Sequence, residues 1–347
     1  MSEKAKMISV ADDEVGMRLD RWLKVHAPGL GHVQAQKLVR TGQVRVDGRR
    51  AKAGQRLDQG QEIRLPPNLD RAKELTASEK KTVFLSSAET EDIIGRVLHR
   101  DDHLIVLNKP AGLAVQGGSK TVRHLDGMLD VLRFGSDERP RLVHRLDRDT
   151  SGVLVLARTR KAASFLTRSF GGREARKVYW AAVHGWPRPQ EGVIDVPLAK
   201  QGGRGMEKMA AAEEGEGKRA TTFYRVQDHA GHRVSWLIME PLTGRTHQLR
   251  AHAAHLGHPI LGDGKYGDPS SVLEGMEGVV ENKLHLHARA LRMPHPAGGM
   301  FEAVAPLPRH MEKTWAFFGF DERVVFDPFE TSHNGDQAPG GGPGKRT

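Results

Sequence analysis

The stretch from Arg141 to Ala157, RLVHRLDRDTSGVLVLA, sets a loop dense in charge directly against an apolar strand. Asp147 lies between Leu146 and Arg148, with Arg145 two residues before it. Guanidinium groups so near favour the carboxylate anion, and an ionised, positioned carboxylate can act as nucleophile or general base. Spacing alone leaves Asp147 evenly divided between that chemistry and an ordinary turn residue in a salt bridge. Asp149, followed by Thr150-Ser151-Gly152, reads as a turn or capping residue. The histidines offer a second chemistry. His252 and His255 share a helical face, and His247, His258, His285 and His287 stand in nearby or later segments. Such groups can hold zinc, but no HExxH spacing occurs, and histidines in so basic a chain more often contact phosphate or fill a polar core. No metal is expected. The absence of cysteine removes disulfides, thiolate zinc sites and a thiolate nucleophile. Gln116-Gly117-Gly118-Ser119-Lys120 lacks the spacing of a phosphate-cradling loop.

A reactive aspartate needs a frame. Leu104 to Leu107, Val153 to Ala157, Val178 to Val183 and Val234 to Met239 read as buried or half-buried strands. Thr159 is an N-cap signal for a helix bearing Ala162, Phe165, Leu166 and Phe170. A second helix is expected from Thr246 to Leu256, stopped by Gly257. Strands outnumber helices without a βαβ alternation. That pattern points to an α+β fold with a mixed, largely antiparallel sheet over residues 93–325. Within it, Gly202 to Gly217 reads as a mobile loop. Residues 66–92 are polar and proline-led, as in a linker, and 326–347 read as a disordered tail.

Residues 16–65 form a separate small unit of two helices plus a hairpin. Leu19, Trp22, Leu23 and His26 recur at helical spacing, closed by Pro28-Gly29. A second helix runs from His32 to Thr41, with Val33, Gln36, Lys37 and Arg40 along one side and Gly42 as its stop. Gln43 to Val46 alternates as a strand, Asp47-Gly48 is a hairpin turn, and Glu62 to Leu65 is a closing strand.

The net charge of +10 is concentrated in that unit. Lys37, Arg40, Arg45, Arg49, Arg50, Lys52 and Arg56 face a single acid, Asp47, giving this window +6. Such a concentration favours a polyanionic partner, because lysines and arginines displace counterions from phosphates. The bland alternative is a solvated charge run on a surface hairpin. No apolar run approaches the roughly 18 residues that would span a bilayer, and the N-terminus lacks the apolar stretch of a signal peptide. A cytoplasmic, monomeric protein without membrane contact is expected.

Two resemblances sharpen this picture. LDRWL followed by QAQKLVRTGQVRVDG resembles the RNA-binding domain named after ribosomal small-subunit protein S-four, over about 50 residues. It implies that Lys37, Arg40, Arg45, Arg49, Arg50 and Lys52 contact RNA. Gly31-His32 stands where such domains usually carry serine and arginine, which weakens one phosphate contact. HRLDRDTSG resembles the signature of the RluA-type pseudouridine synthases. Asn108-Lys109-Pro110-Ala111-Gly112, Lys177-Val178-Tyr179, Gly244-Arg245-Thr246-His247-Gln248-Leu249-Arg250, HPILGDGKYG and Leu286-His287-Ala288 follow that family's order over about residues 93–310.

The resemblance implies that Asp147 starts cleavage of the uracil–ribose bond, either at the sugar carbon or by taking its 2′ proton. The ring then rejoins through carbon 5, which implies that no cofactor is needed, since reactant and product are isomers. It also implies that Arg245 pairs with Asp147, Tyr179 stacks on the base and helps move the carbon 5 proton, and Arg145 fills the space of the flipped nucleotide. Leu249 and Lys177 would complete the substrate pocket, and Lys109 would support its floor. Without the resemblance, Arg245 is a capping cation, while Tyr179 and Leu249 are core. LNKPAGLAVQGGS and VHRLDRDTSGV sit closest to the RluC branch, which implies 23S ribosomal RNA, or a large-subunit assembly intermediate, as substrate. A transfer RNA synthase, a non-catalytic RNA-binding or ribosome-assembly factor, and a metal-dependent nucleic-acid hydrolase are the rival readings.

Overall fold

The computed structural model describes residues 5–27, 30–67, 85–117, 123–172, 174–202, 208–212, 216–267, 276, 279–324 and 329, with His32 and Val33 described in backbone only. The chain divides into two units, Met1–Thr82 and Val83–Thr347.

In the first unit, α1 (Leu19–His26) and α2 (His32–Arg40) cover a four-stranded sheet of order β1-β4-β2-β3. Its strands are β1 (Lys6–Ser9), β2 (Arg45–Val46), β3 (Arg49–Arg50) and β4 (Glu62–Leu65). The helical spacing of Leu19, Trp22 and Leu23 buries all three completely. Trp22 Nε1 donates to the buried Glu14 carboxylate at 2.7 Å, so the ring's one polar atom is satisfied inside the core. Asp47 and Gly48 both have positive φ, 48° and 73°, the geometry of the tight hairpin turn that Asp-Gly favours.

Two boundaries differ from the sequence reading. β1 precedes residue 16 and pairs antiparallel with β4, a short strand whose register only the fold supplies. Gln43 and Val44 do not join the sheet, because their amides turn back onto the Leu38 carbonyl and finish α2. The proposed stop at Pro28-Gly29 lies outside the described residues.

The second unit is built on one long mixed sheet. Its strands are β5 (Val97–Arg100), β6 (Leu104–Lys109), β7 (Arg141–Leu142), β8 (Ser151–Ala157), β9 (Arg176–His184) and β10 (Glu191–Asp195). To these are added β13 (Thr221–Ala230), β14 (Val234–Pro241), β15 (Leu286–Pro294) and β16 (Met300–Val304), while β11 (Leu198–Gln201) and β12 (Lys208–Ala211) pair separately. The order is β10-β13-β14-β9-β15-β8-β6-β5, with β16 on β15 and β7 on β8. Every pairing is antiparallel except β15 with β8. Helices α3 (Ser87–Gly95), α4 (Leu125–Met128), α5 (Arg160–Gly171), α6 (Gln248–His255) and α7 (Arg309–Phe318) cover it. This is the α+β architecture expected.

Strand alternation decides which side chains meet the site. Along β9, Val178, Trp180 and Ala182 enter one core with Trp236 and Trp315, while Ala181 and Val183 enter another with Leu249 and Leu286. Because the side-chain period is two, Lys177 and Tyr179 share the face of Ala181 and Val183. Trp180, Trp236 and Trp315 pack edge to face at 4.6 and 5.6 Å, pinning α7 beneath the sheet. Truncating one such buried ring costs about 3–5 kcal/mol.

Three expectations are corrected here. The end of the presumed linker is helical: Ser86 and Glu89 form a reciprocal capping box that starts α3, and Ile93 is buried. Within the presumed mobile loop, Lys208–Ala211 pairs antiparallel with Leu198–Gln201; residues 203–207 and 213–215 lie outside the described residues. In the presumed tail, Phe329 is buried and its carbonyl accepts from Arg176, while 330–347 lie outside the described residues.

Candidate active site

Asp147 sits on the loop between β7 and β8, and the loop is anchored at several points. Leu146 is buried in the core beneath it. The His144 ring stacks on Phe170 at 4.1 Å, and its Nε2 accepts the Val155 amide at 2.8 Å. Burial, with Lys177 nearby, pulls the His144 pKa down to about 3, so the ring is neutral and stays an acceptor. Lys109, only 1% exposed, donates to the carbonyls of Pro110, Leu113 and Arg148 at 2.8, 2.9 and 2.9 Å. One ammonium thus ties the turn after β6 to the loop that carries Asp147. Burial lowers its pKa to about 7, against the pull of Asp149 and Asp147.

Gly152, just past the loop, has φ +108°, and a Cβ there would stand 2.2 Å from the Ala288 carbonyl oxygen. Only glycine lets β8 approach β15 so closely. Ser151 Oγ and His287 Nδ1 meet at 2.8 Å across the same parallel pairing.

The loop faces a pocket of about 380 Å³ lined by Asp147, Tyr179, Lys177, Leu249, Arg250 and Arg145 among others, a size suited to a small ligand group. The Asp147 side chain is 19% exposed and makes no hydrogen bond among the described residues. Its Oδ2 lies 3.9 Å from Arg250 Nη1 and 3.9 Å from His247 Nε2. Arg250 is itself held by Asp263, Nε to Oδ2 at 2.8 Å and Nη2 to Oδ1 at 2.6 Å, with both side chains buried. Burial opposes its charge, but the two bonds to Asp263 outweigh this and raise its pKa. Tyr266 lies beneath the guanidinium, 5.0 Å from ring centre to Arg250 Cζ, and its hydroxyl meets His247 Nδ1 at 2.9 Å. Burial lowers the His247 pKa, with Asp147 opposing. Burial and then the Asp147 charge push the Tyr179 hydroxyl far up, so the phenol stays protonated. Burial lowers the Lys177 ammonium.

The pairing expected of Arg245 belongs in this structure to Arg250. His247 adopts a left-handed conformation, φ 53°, before α6 begins, and Gln248 Oε1 accepts from the Arg245 amide and the Thr243 hydroxyl. That turn leaves Arg245 exposed on the pocket rim, its Nε donating to the Arg219 carbonyl at 2.9 Å. Arg250, in the first turn of the helix, points inward instead. Arg145 is exposed at the pocket mouth. Leu249 is both core and pocket wall, so its two readings coincide.

The histidines have partners elsewhere: His252 with Thr222 and the Val196 carbonyl, His285 with Thr314 and the Lys283 carbonyl, His258 with the His184 carbonyl. Among the described residues no group of three side chains is placed to hold a metal. In the first unit Lys37, Arg40, Arg49, Arg50 and Lys52 are exposed. Arg45 is half-buried and bound to its own hairpin, donating to the Gly42 and Gly48 carbonyls at 3.3 and 3.1 Å. Arg250, Asp263, His144 and Tyr266 were not singled out by sequence reasoning, although each lay in a segment that the resemblance had marked.

Residues 103–255 match the family described as RNA pseudouridylate synthase, and residues 17–63 match the S4 domain. Ribosomal large subunit pseudouridine synthase C of Escherichia coli K12 is 34% identical over 312 residues, covering 89% of this chain and 95% of that protein. The chain belongs to the RNA pseudouridylate synthase family. An RNA pseudouridine synthase of Synechocystis is 33% identical over 319 residues, 88% of this chain and 90% of the relative. Among solved structures, human RNA pseudouridylate synthase domain containing 4 superposes with a TM-score of 0.56 at 30% identity, over 66% of this chain and 95% of that one. As a pseudouridine synthase the protein takes RNA as its substrate, and its first unit is an S4 domain. No helix among the described residues is long and apolar enough to cross a membrane.

Proposed function

We propose that this synthase isomerises uridines of 23S ribosomal RNA, with Asp147 opening the glycosidic bond. The observation that carries the reading is a carboxylate without a hydrogen bond among the described residues, at a pocket wall, 3.9 Å from a guanidinium that a buried carboxylate holds in place. Such a group is oriented yet uncommitted, as a nucleophile at the sugar carbon or a base toward its 2′ proton must be. The bond from uracil N1 to the ribose breaks, the ring turns, carbon 5 bonds to the sugar in its place, carbon 5 loses a proton and N1 gains one. Reactant and product are isomers, so the reaction consumes nothing.

Tyr179 and Leu249 offer faces for the uracil ring, and Lys177 lines the same pocket. The raised hydroxyl pKa of Tyr179 favours stacking over service as a phenolate base. Exposed Arg145 is placed to fill the gap left by the extruded nucleotide. The large-subunit target rests on the name of the Escherichia coli relative, which aligns over nearly its whole length.

Carbodiimide-stop mapping of ribosomal RNA from cells with and without the gene tests this reading. Specific 23S signals should vanish and return with the wild type but not with Asp147→Asn, which keeps the shape and loses the charge. Full restoration by Asp147→Asn would remove Asp147 from the chemistry, and unchanged 23S signals would remove the target.

A further inference from the structure

Asp147 stands on a wall between two clefts. Arg145, His247 and Arg250 also line both. On the far side from Tyr179 lies a cleft of about 1280 Å³, open along the start of α7 and the segment before β15. Its walls differ from those of the uracil pocket. Nine basic side chains line it against three acidic ones. Two of the nine, Lys109 and Arg250, are buried and have their own partners. Of the rest, Arg309 is exposed and Lys265 half-buried, and neither side chain has a hydrogen bond or ion pair among the described residues. Lys283 and Lys313 converge on one carboxylate, Glu281, at 2.8 and 3.1 Å, and remain 59% and 48% exposed.

Helix stability does not explain this placement. Arg309 is the first residue of α7, whose N-cap Pro308 provides no side-chain cap, and the helix dipole there disfavours a cation. A row of exposed cations continuous with a site that acts on RNA is what a phosphate backbone recognises.

We propose that this second cleft holds the backbone phosphates of the RNA strand on one side of the target uridine, through Arg309, Lys265, Lys283 and Lys313. Glu281 sets the strength of that grip by neutralising two of the lysines. The base enters one cleft, the sugar meets Asp147 at the wall, and the phosphates follow the other. The proposal rests on the pseudouridine synthase reading of the Asp147 pocket. It adds a second RNA surface to the basic face of the S4 domain.

The test is fluorescence anisotropy of the full chain with a labelled RNA hairpin carrying a uridine-rich loop, across a potassium chloride series. Arg309→Glu should raise Kd about tenfold or more and flatten the log–log salt slope by about 1. Glu281→Gln should do the reverse: it frees two ammonium groups, so binding tightens severalfold and the slope steepens. A merely structural Glu281 would yield weaker binding or none of this gain. Both variants change exposed or half-exposed side chains, and matching thermal midpoints verify that they fold. Unchanged Kd and slope in Arg309→Glu, or unchanged or weaker binding by Glu281→Gln, overturns the cleft. Pseudouridine formation by the wild type is measured alongside. If the wild type is active while both variants bind as it does, only the cleft proposal falls. If the wild type is inactive while the variants shift as expected, the cleft stands as an RNA surface and the catalytic reading falls.

Discussion

Acidification from pH 7 to pH 5 should destabilise the catalytic unit well before its carboxylates titrate, through buried His285 and His287 and half-buried His144. Burial holds His144 at about 3, His287 at about 3 and His285 at about 4, against about 6.5 in an unfolded chain. Between those limits the unfolded chain binds protons that the folded one refuses. Stability therefore rises with pH through the window and is lost as pH falls below 6.5. Each group contributes about 1.4 kcal/mol per pH unit once the unfolded imidazole is protonated. From pH 7 to 5 this amounts to about 2 kcal/mol per histidine, or about 6 kcal/mol together, comparable with the whole stability of many domains. Carboxylates held low in the fold, such as Asp101 at about 2, act only at lower pH. The geometry gives the reason for His144: its Nε2 accepts a backbone N–H, and protonating it would break that bond. Urea unfolding at pH 7, 6 and 5, followed by near-ultraviolet dichroism of the buried tryptophans, measures the slope. His144→Gln, which can still accept at the same place but cannot titrate, should remove about a third of it. A wild-type loss under about 2 kcal/mol, or an unaltered slope in His144→Gln, refutes the reasoning.

Asp263→Asn strips the buried partner from Arg250. It should cost about 3–5 kcal/mol of stability and most of the turnover, and a variant of normal midpoint and activity would show that Arg250 needs no holding. Gly152→Ala should cost about 2–6 kcal/mol from a strained positive φ and a backbone clash, a fall of about 5–15 °C in the thermal midpoint; calorimetry showing a shift under about 2 °C would mean that β8 and β15 can part freely. Reversing Arg49, Arg50 and Lys52 together to Glu should weaken RNA binding and flatten its salt slope by about 2. An unmoved slope would mean that the S4 hairpin is not a contact surface.

The strands around Asp147 were legible because each is an apolar run of β-forming residues bounded by turn signals, and both faces of β8 and β9 are buried in cores on either side of the sheet. The hairpin turn at Asp47-Gly48 was legible because two consecutive positive φ angles demand those residue types. β1 and the β11–β12 pair were not legible. Unlike Glu62–Leu65, the segments KMIS, LAKQ and KMAA do not alternate apolar with polar residues, and their partners lie far away in sequence or across a loop. The capping box at Ser86 and Glu89 was written in the sequence but lay inside a stretch whose composition read as linker.

The exchange of Arg245 for Arg250 marks the limit of linear motifs. The two arginines are five residues apart in one segment, and composition ranks them equally. What separates them is a single left-handed residue, His247, and a glutamine, Gln248, whose amide also donates to the Thr221 carbonyl and the Thr222 hydroxyl inside the sheet. Those bonds fix where α6 starts, and the start fixes which side of the helix each later residue faces. Arg250 then meets Asp263, a residue 13 positions on, and this buried carboxylate keeps the guanidinium from closing on Asp147. A free Arg250 that closed from 3.9 Å to direct contact at about 2.8 Å would gain roughly 1.5–2 kcal/mol of further attraction at an effective dielectric of about 20, enough to favour a contact that occupies the Asp147 oxygen. With Asp263 sharing that charge, Asp147 is left near a cation and unbound by it, as the proposed role of Asp147 requires.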